Sequence, residues 1–293
     1  MTALARQLLF VIAVAAFACT EPPANEPPVE PVAANDSTQP LHQRIPPPEG
    51  FQRVTYGAGS FGAWLRDLPV KPGRPPVMLH DGRRKSNQSA HHAVLDIDVG
   101  VEDLQQCADA VIRLRAEYLL SGSCGDEIQF NFTSGDAARW VEWRSGIRPV
   151  VKGNQVSWKR SAPADDSYAG FREYLDTVFM YAGSASLEHE LSPVHDPSLP
   201  VAGDVFIHGG FPGHAVLVID VAVNDAGDRA FLLAQSYMPA QEIHILRSPE
   251  DVGPWYRAAA AGALRTPEWE FKHGDLRRFS PSSCESATRG AAR

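Results

Sequence analysis

Gly203-Asp204-Val205-Phe206-Ile207 and, after a short loop, Gly213-His214-Ala215-Val216-Leu217-Val218-Ile219-Asp220 decide how this chain is read. Both stretches have the length and composition of strands. The second is apolar at successive positions, so both of its faces should be covered. A histidine opens it and a glycine precedes it. That places His214 at the rim of a packed barrel, held by a rigid element, where a general base is well positioned. At a rim, losing the ring should leave a surface notch. A rim histidine that only hydrogen-bonds a loop fits the same spacing, and the pattern leaves both readings open.

The loop Asp225-Ala226-Gly227-Asp228 makes His214 to Val223 and Ala230 to Tyr237 a hairpin. If Asn224 pairs with Arg229, Gln235 faces Val218 and His214 faces Pro239, about 13 Å apart along the strands. A direct bond from Gln235 to His214 then requires a bulge or a strong twist. Tyr237 and Gln241 are rival partners. Glu242 to Leu246 and Trp269 to Lys272 read as further strands. Upstream, Tyr168 to Ala182 reads as a helix, with Asp165, Asp166 and Ser167 as cap candidates and Gly183 as its stop.

Residues 51–153 alternate strand and helix. Phe51 to Tyr56, Ala93 to Val99 and Glu127 to Phe132 read as strands, and Phe61 to Leu68 as a short helix. Glu102 to Leu120 is the clearest helix, with Leu104, Cys107, Val111, Leu114 and Tyr118 on one apolar stripe. In that register Cys107 lies about two turns inside the helix, which suits core packing better than a reactive thiol. Arg113, Arg115 and Glu117 fall on its polar side, either as a solvated face or as a carboxylate-binding rim. The fold class is α+β, with an N-terminal α/β part over 51–153, a barrel part over 154–280 and a tail over 281–293.

The chain has 293 residues, 44% hydrophobic and 21% charged, with a formal net charge of −8. It has no basic stripe of the kind nucleic-acid binding requires. Leu8 to Ala18 is an apolar run behind Arg6, too short to span a bilayer and fitted to an export signal over 1–18. Small residues before Cys19 resemble a lipobox, with Cys19 lipidated, and the proline-rich stretch 19–50 reads as a tether. The location implied is the outer membrane, facing the periplasm. In an oxidising compartment Cys124 and Cys284 are the plausible disulfide, because a Cys107–Cys124 bridge would have to double back over about 21 Å of helix. His91, His92 and His208 show no metal-ligand spacing, so no metal and no cofactor is expected.

Gly-Phe near a helix start, then Gly203-Asp204-Val205-Phe206-Ile207, then His214 at a strand start and a hairpin, resembles the NlpC-like papain-fold cell-wall peptidases and amidases. The resemblance covers roughly Ser167 to Leu246. It implies a hydrolase of amide bonds in cell-wall peptides, with His214 as base and Gln235 as orienting residue. The family's cysteine position falls on Tyr168 here, and Cys107 is the substitute nucleophile. The chain also resembles an uncharacterised domain-of-unknown-function family of bacterial lipoproteins, over about Phe51 to Phe279. Leu104 to Tyr118 and Leu233 to Gln241 carry that likeness. The alternative function is a degenerate barrel that binds a peptide or envelope partner without turnover.

Overall fold

The strand His214–Asn224 is the spine of the molecule. Ala215, Leu217 and Ile219 turn into one core, Val216, Val218 and Val221 into a second. The structure, a computed structural model, describes residues 37–250 and 253–285. The expected leader, Cys19 and most of the tether lie outside these residues, as does the end of the tail.

Among the described residues nine strands make the main sheet. Across it run His91–Val94, His244–Leu246, Arg229–Gln235, His214–Asn224, Val205–His208, Leu276–Arg278 and Ser192–Pro193. Phe51–Arg53 and Trp255–Arg257 join as branches, on His214–Asn224 and Arg229–Gln235 respectively. Strands from both sides of residue 153 are interleaved. The protein is therefore mixed α and β, mostly sheet with few helices. No closed barrel is found among the described residues: His91–Val94 and Ser192–Pro193 stand at opposite ends of the strand path. The core is sealed by layers instead. Helices cover the Ala215 face, and the hairpin of Ala263–Arg265 and Glu270–Lys272 helps cover the Val216 face. Burying both faces in this way removes apolar surface from water without closing the sheet on itself.

Three local features hold these layers in place. Asp220 is fully buried and takes Arg53 Nε at 2.7 Å and Arg66 Nη2 at 2.6 Å, tying the strand Phe51–Arg53 and the helix Phe61–Arg66 to the spine. Gly203 has φ of +99°, and a Cβ there would come within 2.7 Å of the Phe61 ring, so both backbone and packing call for glycine. Cys124 and Cys284 form a disulfide that fastens the tail beside the end of the helix Cys107–Ser121.

That helix departs from its expected start. It begins at Cys107, not at Glu102. The cause is a cap: Asp109, at the third helical position, accepts the Gln106 N–H at 3.0 Å, which satisfies a donor the helix would otherwise leave open. Glu102 and Asp103 lie outside, where Asp103 Oδ1 accepts the Ala240 N–H at 2.6 Å. The helix Tyr168–Tyr181 is where the sequence puts it, with Ser167 Oγ capping the Gly170 N–H at 3.1 Å.

Candidate functional site

The site lies where the spine begins. The hairpin pairs Val223 with Arg229, not Asn224 with Arg229, and keeps that register to Asp220 and Leu232. Between Val218 and Asp220 the register shifts, so Val218 faces Leu233 and Leu217 faces Ala234. Carried on by one residue, this sets Gln235 opposite Val216, on the face of His214 and two residues from it. Without the shift Gln235 would oppose Leu217 and point to the other face. The bulge therefore delivers the bond: His214 Nε2 lies 2.9 Å from Gln235 Oε1.

His214 is not a rim residue. It is 1% exposed, and its ring packs against Tyr237 at 4.9 Å, Trp269 at 5.3 Å and Phe271 at 5.8 Å between centroids. Burial brings its imidazole down to about 4, against the opposing pull of the Gln235 hydrogen bond and the Glu268 carboxylate. The ring is therefore neutral at pH 7.

Cys107 now stands in the first turn of its helix, not two turns inside it. Its thiol is free and half-buried. The helix packs across the His214 strand, and backbone hydrogen bonding from Ala215, Ala108 and Cys107 itself acts to lower the thiol. Such bonding favours a thiolate. Burial wins, with help from Asp109, and the thiol is pushed up to about 11. Asp109 is itself buried, and desolvation raises its carboxyl to about 8. Among the described residues no hydrogen bond joins the Cys107 thiol to the His214 ring. The resting pair is thus an uncharged thiol beside the amide that follows an uncharged imidazole.

The remaining candidates are placed as follows. Tyr237 meets the His214 ring, and Lys85 Nζ lies 5.1 Å from its own ring centroid. Gln241 is buried with Nε2 on the Pro239 carbonyl at 2.9 Å, and among the described residues no hydrogen bond links it to His214. Arg113 and Arg115 are buried, so neither forms a solvated face or an open rim. Arg113 holds Gln105 Oε1 at 2.5 Å and Asp98 Oδ1 at 3.1 Å. Arg115 holds Glu285 at 2.6 Å and lies over the rings of Phe61, Tyr118 and Phe279. Tyr168 is 52% exposed and donates to Glu117 at 2.6 Å. It belongs to a different helix from the one that packs on the His214 strand, so the missing cysteine there carries no weight. Among the described residues no three His, Cys, Asp or Glu side chains gather as a metal site, and no helix is long and apolar enough to cross a membrane.

Sequence reasoning missed the layer behind Gln235. Glu268 Oε2 accepts from Gln235 Nε2 at 2.7 Å, and Glu268 Oε1 is 2.7 Å from Lys85 Nζ and 3.3 Å from Asn87 Nδ2. His244 Nε2 is 3.4 Å from Gln235 Nε2. Lys85 follows Arg83-Arg84 and Glu268 sits in Pro267-Glu268-Trp269-Glu270. Both stretches have the look of solvated surface, and no spacing links them. The cap at Gln106 and Asp109, by contrast, has a spacing that marks a helix start.

Residues 41–278 match the model of a family described as Domain of unknown function (4846). No curated protein and no solved structure matches the chain.

Proposed function

The chain belongs to that family, and we propose that its His214 end hydrolyses an amide bond by a cysteine mechanism, in the manner of the papain-like, NlpC-like group, within an exported envelope lipoprotein anchored through Cys19. The observation that carries this reading is the conjunction of Cys107 at the start of a helix that packs on the His214 strand and His214 held by Gln235 at 2.9 Å. In this reading a helix start and a hairpin far along the chain supply a nucleophile, a base and an orienting residue.

In this reading His214 takes the Cys107 proton on Nδ1 as the sulfur attacks the substrate carbonyl carbon. The tetrahedral intermediate collapses by breaking the C–N bond, and the imidazolium returns its proton to the leaving amine. Water, deprotonated by the same ring, then splits the thioester and restores the thiol. Because the resting pair is uncharged, thiolate forms in step with attack. Phe211, 99% exposed, precedes the His214 strand, and Met238, 55% exposed, follows the Gln235 strand. They supply apolar contacts to a peptide, and cell-wall peptides are the substrate class proposed.

A second reading is a binding module without turnover. The raised thiol and the lack of a Cys107–His214 hydrogen bond among the described residues favour it. Hydrolysis of peptidoglycan peptides by the wild type, abolished in Cys107→Ala and lowered by 10² or more in His214→Gln, supports the enzyme. Peptide binding without turnover, unaltered in Cys107→Ala, supports the module.

A further inference from the structure

The Gln235 carboxamide has two ends, and its surroundings decide which one His214 meets. Its nitrogen faces Glu268 Oε2 at 2.7 Å, and beside Lys85 at 2.7 Å that carboxylate is an acceptor only. The same nitrogen faces His244 Nε2 at 3.4 Å. His244 Nδ1 lies 2.9 Å from the Glu242 carbonyl, which can only accept, so the proton of that neutral ring is on Nδ1 and its Nε2 also accepts. Two acceptors therefore claim the amide nitrogen, and the oxygen is left to His214. An oxygen facing Nε2 needs a donor, so Nε2 carries the single proton of the His214 ring. Nδ1 keeps its lone pair.

We propose that Glu268 is a positioning residue, which, paired with Lys85, fixes the Gln235 amide and through it the Nδ1-basic tautomer of His214. This rests on the reading of His214 as a base and adds what prepares it. Replacing Glu268 by an apolar side chain removes the stronger of the two acceptors. The amide can then turn over, present its nitrogen to Nε2 and move the proton to Nδ1, where it blocks the base.

The test is nitrogen NMR of the histidine rings in the full chain, labelled with ¹⁵N, beside iodoacetamide alkylation of Cys107 at pH 7. The wild type should show His214 as the Nε2–H tautomer alone. Glu268→Leu should show a mixture, with alkylation slowed several-fold. Glu268→Gln keeps an acceptor oxygen and should restore the wild-type tautomer, which a loss of packing alone would not predict. A His214 that stays wholly Nε2–H in Glu268→Leu overturns the proposal. If Glu268→Leu does not fold, Glu268→Met, which removes the same acceptor, is read in the same way; an unshifted tautomer there also overturns it. A shifted tautomer with unchanged alkylation upholds the positioning role and removes His214 as base of the thiol.

Discussion

The His214 ring and the Gln235 carboxamide meet at 2.9 Å because the hairpin that joins them takes up an extra residue between Val218 and Asp220. Each of the two buried groups supplies what the other lacks. Gln235→Leu leaves the His214 Nε2–H without its acceptor and Glu268 Oε2 without the Gln235 donor. A buried polar group stranded in this way costs about 1–3 kcal/mol. Urea denaturation of Gln235→Leu against wild type measures it, and an unchanged midpoint would show that the bond adds nothing to stability.

Acid should weaken the protein through the same ring. The unfolded imidazole titrates near 6.5, the folded one at about 4. Between these values the unfolded chain binds the extra proton, so stability falls as pH is lowered through that window. At full extent the loss is on the order of 3 kcal/mol. Relative to His214→Gln, whose side chain does not titrate, the wild-type Tm should drop progressively from about pH 6.5 to about pH 4. Parallel melting curves for the two proteins would contradict the buried neutral ring.

The Cys107 thiol is held back in part by Asp109. Below pH 8 that carboxyl keeps its proton; above it, a negative charge faces the sulfur. Asp109→Asn retains an acceptor for the Gln106 N–H and removes the charge. Its thiol should titrate below the wild-type value of about 11 and alkylate several-fold faster near pH 9. Equal rates in the two proteins would show that burial alone sets the thiol.

The Cys124–Cys284 bridge closes a loop with a sequence separation of 160. Cross-links across long loops restrict the unfolded chain and contribute about 2–5 kcal/mol. Cys284→Ser should therefore melt several degrees lower than wild type under oxidising conditions, and the two should converge in reductant. A difference that persists in reductant would assign the loss to the substitution itself.

The proposed anchor is tested at Cys19. Cys19→Ser should move the protein from the membrane fraction to the soluble one, because a lipidated residue would supply the attachment. Unchanged fractionation would remove the lipid from the account.

Strand and helix order near the spine was legible because apolar periodicity and caps are local signals. The helix over Tyr168–Tyr181 and the hairpin of His214 and Gln235 emerge from the sequence almost residue for residue. What misled was equally local. Glu102 and Asp103 look like a first helical turn, yet Asp103 serves the Ala240 backbone and the helix waits for the cap at Gln106. Arg113 and Arg115 lie on a polar stripe, yet the chain around Asp98 and the tail at Glu285 fold over them. His214 opens a strand, yet Trp269 and Phe271, from a separate hairpin, close over its ring. The corrections at Arg115 and His214 come from segments far along the chain, which no window of neighbouring residues contains.

The sheet order has a bearing on how the chain comes to be folded. His91–Val94 has its sheet neighbour in His244–Leu246, and that strand in turn pairs with Arg229–Gln235. A nascent chain that has produced His91–Val94 must carry an edge without its neighbour until His244–Leu246 has been made. Assembly dominated by such distant pairings is slow, and exposed edges invite association between chains. A truncation before His244 should therefore accumulate as aggregate and not as a smaller folded body.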